Sequence, residues 1–396
     1  MHTHHYPYTS LLTHLSTHLP HSGPLLRRIQ HQTTHPSPTA QVLASFPPES
    51  DPESEPGTPW LAAYADIPKG PDTQVWLFSS LETKTSTASA SASTHDETNN
   101  TTLSISTNDK ETIKLHLLDL FTLIRTRFIP PYLDWLSSQP QPPIQPPAVA
   151  KDEGVKKIPP HAHTSILLGT VHKALVELVC ELAAESKVWI HRGQDVFYAK
   201  YCFPLTSFNN DNDNTIRPDP AFQLRDGSRY RFTDSNGISG IQEHHLDLVK
   251  NRTNIPRSKR ALLAMGGVAL YSDDSDSHSH SLASASASAG AGVEKEKGTG
   301  EMPMAWAFLG FDGSLSTLHV EPEHRGKGLG GIVGREVMKR GVDFFEPDSH
   351  AQRDSGEEWF FADVAVQNLA SRRVMEKMGG KVGWTVAWMV VEVDEG

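Results

Sequence analysis

The run from Leu315 to Gly331, L-S-T-L-H-V-E-P-E-H-R-G-K-G-L-G-G, limits what this chain can fold into more than any other part of it. An apolar, strand-like segment leads through a proline-bearing turn into a glycine-rich loop, and the loop runs on into a helix. That helix is predicted from Ile332, Val333, Val337, Met338, Val342 and Phe345, which recur at roughly helical spacing. The glycines let backbone N–H groups approach a ligand with no Cβ in the way. A helix N-terminus behind such a loop has N–H groups without partners, and its dipole favours negative charge. With Arg325 and Lys327 beside it, the loop is expected to hold a pyrophosphate.

Three kinds of nucleotide site could use such a loop. A Walker loop requires Ser or Thr after its lysine, and Gly328 follows Lys327 here. The dinucleotide fingerprint G-x-G-x-x-G does match at Gly326, Gly328 and Gly331, with Glu346 about 20 residues on. In that fold, however, the first glycine closes the turn directly after the strand, whereas Glu321 to Arg325 intervene here. A nicotinamide-dependent oxidoreductase is therefore the weaker reading of the loop.

The third kind rests on a resemblance. The pattern V-x-P-x-x-R-G-x-G-L-G, Val320 to Gly330, resembles the acyl-CoA pyrophosphate loop of the GNAT superfamily of N-acyltransferases. A second block, the strand Phe360 to Val366 followed by Asn368-Leu369-Ala370-Ser371 and a short helix to Gly379, is similar to that superfamily's N-x-x-S-x-x-x-x-x-K-x-G. The wording around these blocks, with Asn254-Ile255-Pro256-Arg257 upstream, looks most like the glycine N-acyltransferase-like branch. The resemblance covers roughly residues 225 to 396. It implies an α/β fold in which a mixed sheet carries helices on its faces. The first half, about 1 to 205, would be a degenerate GNAT-like partner domain.

The resemblance also implies residue roles. Backbone N–H groups from Gly326, Lys327, Gly328, Leu329, Gly330 and Gly331 would coordinate the pyrophosphate of acetyl-CoA or another acyl-CoA, with charge from Arg325 and Lys327. Leu318, His319 and Val320 would run beside the pantetheine arm, pairing with its amides as an added strand does. Asn368, with Ser371 of the same block, would bond the pantetheine or cap the helix that starts there. Asp363 is the general-base candidate. It stands where some relatives keep a carboxylate, and in F-F-A-D-V-A-V a buried charge needs a partner or a task. His319 titrates in a suitable range but is read first as a packed strand histidine.

Two departures bear on turnover. Many members carry a tyrosine acid where Met375 stands, and relatives keep a carboxylate at Ser314 or near Ser316. Catalysis by proximity and backbone donors survives such losses, more slowly. The expected function is acyl transfer, acetyl first, to an amine of a small molecule or amino acid. The alternative is an acyl-CoA-binding regulatory or scaffold protein with weakened catalysis.

With 396 residues the chain is long enough for two domains, and its net charge of −11 contains no long Lys/Arg run. Neither nucleic acid nor an anionic membrane is an expected partner. Two cysteines, Cys180 and Cys202, make no disulfide framework, and the histidines near the N-terminus lack ligand spacing, so no metal site is expected. No stretch approaches the ~18 apolar residues of a membrane span, and the N-terminus has no signal-peptide pattern. The cytoplasm, or the nucleus, is the expected location.

The polar runs 83–110 and 272–300 read as inserts in the 1–205 and 225–396 domains, and 139–160 as a Pro-rich linker. Leu167 to Ala184 reads as one amphipathic helix, and Ile113 to Leu136 as helix broken at Pro130-Pro131. From Tyr230 onward the order βααβββαβαβ is expected.

Overall fold

Two halves of the chain repeat one order of elements. The computed structural model describes residues 1–49, 51, 56–70, 72–84, 105–139, 158–208, 222–273, 300–345 and 358–393. In the first half come β1 (His2–His4), α1 (Thr9–Thr17), α2 (Gly23–Thr34), β2 (Gln41–Ala44), β3 (Leu61–Ala65) and β4 (Val75–Ser79). They are followed by α3 (Thr107–Leu123), α4 (Ile129–Ser138), β5 (Ile166–His172), α5 (Lys173–Ala184), β6 (Val188–Arg192) and β7 (Phe197–Pro204). The second half opens on a small hairpin, β8 (Phe222–Gln223) and β9 (Arg229–Arg231), then α6 (Leu246–Asn251) and α7 (Lys259–Ala264). After these come β10 (Gly266–Ser272), β11 (Ala305–Leu309), β12 (Leu315–Val320), α8 (Leu329–Phe345), β13 (Trp359–Ala365), α9 (Leu369–Lys377) and β14 (Lys381–Val393). From β9 onward the second half reads βααβββαβαβ, the expected order; with α3 and α4 counted as one helix the first half reads the same and adds a final strand, β7.

The halves exchange their last strands. One sheet runs β1-β2-β3-β4-β5-β14-β7-β13, with β6 also on β14, and the other runs β12-β11-β10-β9-β8. Strand β7 of the first half lies between β13 and β14, while the later part of β14 pairs with β5 and β6. This is a mixed α/β architecture, because β4 and β5 are parallel in an otherwise antiparallel path. Helix α8 covers the second sheet by burying Leu329, Val333, Val337 and Met338 against Val268, Leu270 and Ala307. In the first half, α3 and α5 bury Leu117, Phe121, Leu175 and Val179 against Leu61, Leu77 and Leu168.

The segment Leu167 to Ala184 is not one helix. Ile166–His172 is strand, and only Lys173–Ala184 is helix. A short apolar run buried on both faces has no periodicity that separates strand from helix. Gly169 marks the strand, since a Cβ there would meet Thr73 and the Trp388 ring. The expected break at Pro130-Pro131 is absent as well. These prolines occupy the first turn of α4, where no N–H is needed, and residues 124–128 form a π-turn that joins it to α3. The polar run expected over 83–110 is shorter at its C-terminal end. Helix α3 starts at Thr107, capped by the Ser106 hydroxyl accepting from Asp109 N–H (3.0 Å). The remaining expected inserts fall mostly outside the described residues. Among the described residues no helix is long and apolar enough to cross a membrane.

Candidate functional site

Strands β12 and β13 run parallel and touch at one bridge, Ser314 to Phe361, where Phe361 N–H donates to the Gly313 carbonyl (3.0 Å). Beyond that bridge they belong to different sheets, so the gap between them opens toward Val320 and Ala365. The opening has a local cause in β12. Ser316 pairs with Phe308 and His319 with Trp306, so β12 uses one residue more than β11 over that interval. The irregularity falls at Thr317, whose φ is 51°. Such a bulge bends its strand and leaves a backbone group outside the ladder.

At one end of the gap is the glycine loop. After the Pro322–His324 turn, Gly326 and Gly328 take φ values of 79° and 83°, which side chains rarely adopt. A Cβ on either would meet nothing within 4 Å, so the loop faces open space. Gly331 and Ile332 N–H groups both return to the Gly328 carbonyl (3.0 and 3.3 Å), starting α8 directly behind the loop. The arrangement fits an anion, and Leu318 to Gly331 supply its strand, loop and helix start in unbroken sequence. The two cations are placed differently from each other. Arg325 folds back to donate to the Val320 carbonyl (3.0 Å). Lys327 reaches Ser228 Oγ (3.0 Å) and Asp226 (3.6 Å), on the turn between β8 and β9.

At the other end lies a cleft of about 1620 Å³ whose walls come from both halves of the chain. Its floor includes Ser314, Ser316, Thr317 and Asp363. Asp363 pairs across the ladder with Lys200 of β7, and their side chains meet at 2.7 Å between Nζ and Oδ1. Lys200 is fully buried. The indole of Trp388, from β14, donates to Asp363 Oδ2 (3.2 Å). Tyr198, also on β7, lines the same cleft, and burial together with the Asp363 charge raises its phenol pKa. The Asp363 carboxylate is thus ion-paired and nearly buried, yet it lines the cleft.

The other candidate residues divide by surroundings. His319 stacks on Trp306 (4.6 Å) and sits 3.6 Å from Glu321, and burial lowers its pKa. It does not line the cleft. Asn368 caps α9, its side chain accepting from Ser371 N–H (3.1 Å). Met375 is buried in the core of the second half, so no hydroxyl stands in its place. Ser314 is buried and donates to Asp312 Oδ2 (2.9 Å).

Lys200, Trp388 and Arg257 were given no role from the sequence. Lys200 had a signal: F-Y-A-K-Y-C-F places one cation in an apolar strand, as F-F-A-D-V-A-V places one carboxylate. Each buried charge predicts the other. Arg257 donates to Ser316 Oγ (2.7 Å) from the start of α7, beside the bulge. Nothing in the sequence around Trp388 marks it.

A family model described as the acyl-CoA N-acyltransferase verG N-terminal domain matches residues 1–201, half of the chain, and one described as FR47-like protein matches 291–389. No curated protein matches the chain. Among solved structures, an X-ray structure of a Drosophila protein is similar over 99% of this chain and 97% of its own, at 12% identity and a TM-score of 0.49. A GCN5-related N-acetyltransferase from Sphaerobacter thermophilus is similar over 88% and 87%, at 10% identity and a TM-score of 0.35. One from Kribbella flavida is similar over 59% and 68%, at 10% identity and a TM-score of 0.26.

Proposed function

We propose that this chain, which belongs to the acyl-CoA N-acyltransferase family of verG and with it to the GNAT superfamily, moves an acyl group from a coenzyme A thioester to a free amine. One observation carries the reading: two parallel strands joined at a single bridge, with an anion loop at one end of their gap and a carboxylate-floored cleft at the other. The pyrophosphate would lie against Gly326 to Gly331 and the pantetheine along Leu318 to Val320. Acetyl-CoA is the first donor to test.

The acceptor amine enters from the cleft. Arriving as an ammonium, it gives one proton to Asp363; the free amine then attacks the thioester carbonyl, and a second N–H proton passes to solvent as the amide forms. A backbone N–H freed by the bulge at Thr317 donates to the oxyanion, a contribution that exceeds most others in acyl transfer. The tetrahedral adduct collapses with cleavage of the C–S bond, and the thiolate takes its proton from solvent. Lys200 and Trp388 hold the Asp363 carboxylate in place at the cleft wall.

The test is release of coenzyme A from acetyl-CoA in the presence of a panel of amines. Release above the hydrolysis background is expected; none, with acetyl-CoA bound, removes the enzymatic reading. A second reading, a coenzyme-binding module without turnover, is favoured by the buried Lys200 partner of Asp363 and by Met375. Intact binding by calorimetry with no transfer to any amine would select it. A nicotinamide cofactor stabilising the protein as acetyl-CoA is expected to would overturn both.

A further inference from the structure

The cleft is large for a small acceptor. Pockets that enclose drug-sized ligands run to ~300–1,000 Å³, and this one measures about 1620 Å³. Its mouth is apolar. Trp135 and Val196 from the first half, and Ile255 and Leu263 from the second, line it with exposures of 52, 44, 46 and 51%. Side chains of this kind left in water at the rim of one concave surface stabilise whatever covers them, in proportion to the apolar area removed from water. A glycine-sized acceptor would fill only a small part of this volume.

The polar groups of the cleft are mostly committed. Asp72 accepts from Ser258 Oγ (2.6 Å) and Ser258 N–H (3.1 Å). Asp66 accepts from Thr39 Oγ1 (2.6 Å) and lies 3.6 Å from Lys69. Arg192 donates to the Pro159 carbonyl (2.6 Å). Arg257 differs. Its only hydrogen bond among the described residues goes to a neutral hydroxyl, Ser316 Oγ, and its Nε is shut off from solvent with no partner. The carboxylates of Asp72 and Asp312 attract it only from a distance. A guanidinium has five donors in a planar fork that matches a carboxylate, and leaving a buried donor unmade is costly. Ser316 is level with Asp363, because the bridge sets Ser314 opposite Phe361 and both strands then advance by two residues. Arg257 and Asp363 thus flank the point where the strands part.

We infer that the acceptor is an amphipathic amino acid or short peptide: an amine at Asp363, a carboxylate held by Arg257, and a bulky apolar body covering the rim from Trp135 to Leu263. This rests on the acyltransferase reading of the same cleft, and it makes glycine itself a poor acceptor.

Calorimetry on the full chain in the presence of coenzyme A tests it without requiring turnover. The probes are glycine, tryptophan and tryptophyl-tryptophan, each against its carboxamide. Affinity should rise along the series, and each carboxylate should bind roughly 10- to 100-fold tighter than its carboxamide, the worth of a charge-assisted contact. In Arg257→Gln the carboxylate preference should vanish while the size preference stays. Equal binding of glycine and the dipeptide, equal binding of acid and amide, or no binding of any probe would overturn the inference. So would an unchanged preference in the variant. Should Arg257→Gln fail to fold, the wild-type series still decides. The predicted binding pattern without acyl transfer would sink the activity and leave the ligand class standing.

Discussion

The two halves place a parallel strand pair at the same point of the same order of elements, and only one pair is open. In the first half, β4 and β5 are joined by successive pairs, Val75 to Leu168 and Trp76 to Gly169. In the second, β12 and β13 share the single Ser314–Phe361 bridge and then part. The turn after each first strand differs in the same sense. After β4 the Ser79 N–H is met by the Glu82 carboxylate (2.9 Å), and the Leu81 N–H by the Ser79 hydroxyl (3.3 Å). After β12 the corresponding turn is a glycine loop facing open space. The first half closes its own turn with the Glu82 carboxyl group, and the second leaves the turn open. Even the fifth residue of the following strand differs: Thr170 in β5, Asp363 in β13. One architecture thus yields a closed strand pair and an open one, and the difference lies in a few residues at the strand ends.

The largest expected effect falls on the carboxylate that only the open pair has. Asp363→Asn should lower kcat by about 10²–10⁴ with coenzyme affinity kept, and partial recovery at high pH, where the amine is already free. It should also cost roughly 3–5 kcal/mol of stability, because Lys200 stays buried without its counter-charge. Steady-state kinetics per folded molecule and urea unfolding separate the two. A variant as stable and as active as the parent would leave Asp363 with neither role.

Gly328→Val tests the loop. The residue sits at φ 83°, where a β-branched side chain is strained, and its Cβ would stand over the N–H groups meant for the pyrophosphate. Acetyl-CoA affinity should fall at least ~100-fold, nearly 3 kcal/mol by calorimetry, with the fold intact. Unaltered affinity would remove the loop assignment.

Glu82→Gln tests the closed turn. Burial pushes the Glu82 pKa up to about 8. Between its unfolded value of about 4.3 and that raised value, the folded chain holds a proton that the unfolded chain has released. Stability from this group is therefore present at low pH and falls as pH rises toward 8, by a few kcal/mol in all. The glutamine variant should lack that decline and be the more stable form at pH 8, with coenzyme affinity unchanged. Thermal unfolding at pH 6 and pH 8 checks it; an identical slope in both proteins would show that Glu82 does not carry the proton.

The smallest effect belongs to Lys327. Its ammonium is engaged by Asp226 and Ser228 rather than held free at the loop. Lys327→Ala should weaken acetyl-CoA binding by only roughly 2- to 5-fold, the worth of an exposed charge contact. A loss as large as that of Gly328→Val would mean that the lysine, not the backbone, holds the anion.

The sequence by itself determined the half with the open strand pair. Its strand, glycine loop and helix are consecutive, so spacing between Leu315 and Phe345 carries the arrangement, and the second block from Phe360 to Ser371 does the same for the facing strand. Local order also marked Asp363 as a charge needing a reason. Less of the first half was legible, because its apolar segments are short and doubly buried and it lacks the glycine loop. The tertiary structure alone decided who Asp363's neighbours are. Lys200 arrives on β7 and Trp388 on β14, the strands that the halves exchange, and Arg257 reaches Ser316 from a helix start far off in sequence. A cleft walled by both halves is likewise a product of that exchange. Contacts between segments so distant in the chain leave no periodicity and no spacing to read, because nothing in the order of residues fixes which strand will lie beside which.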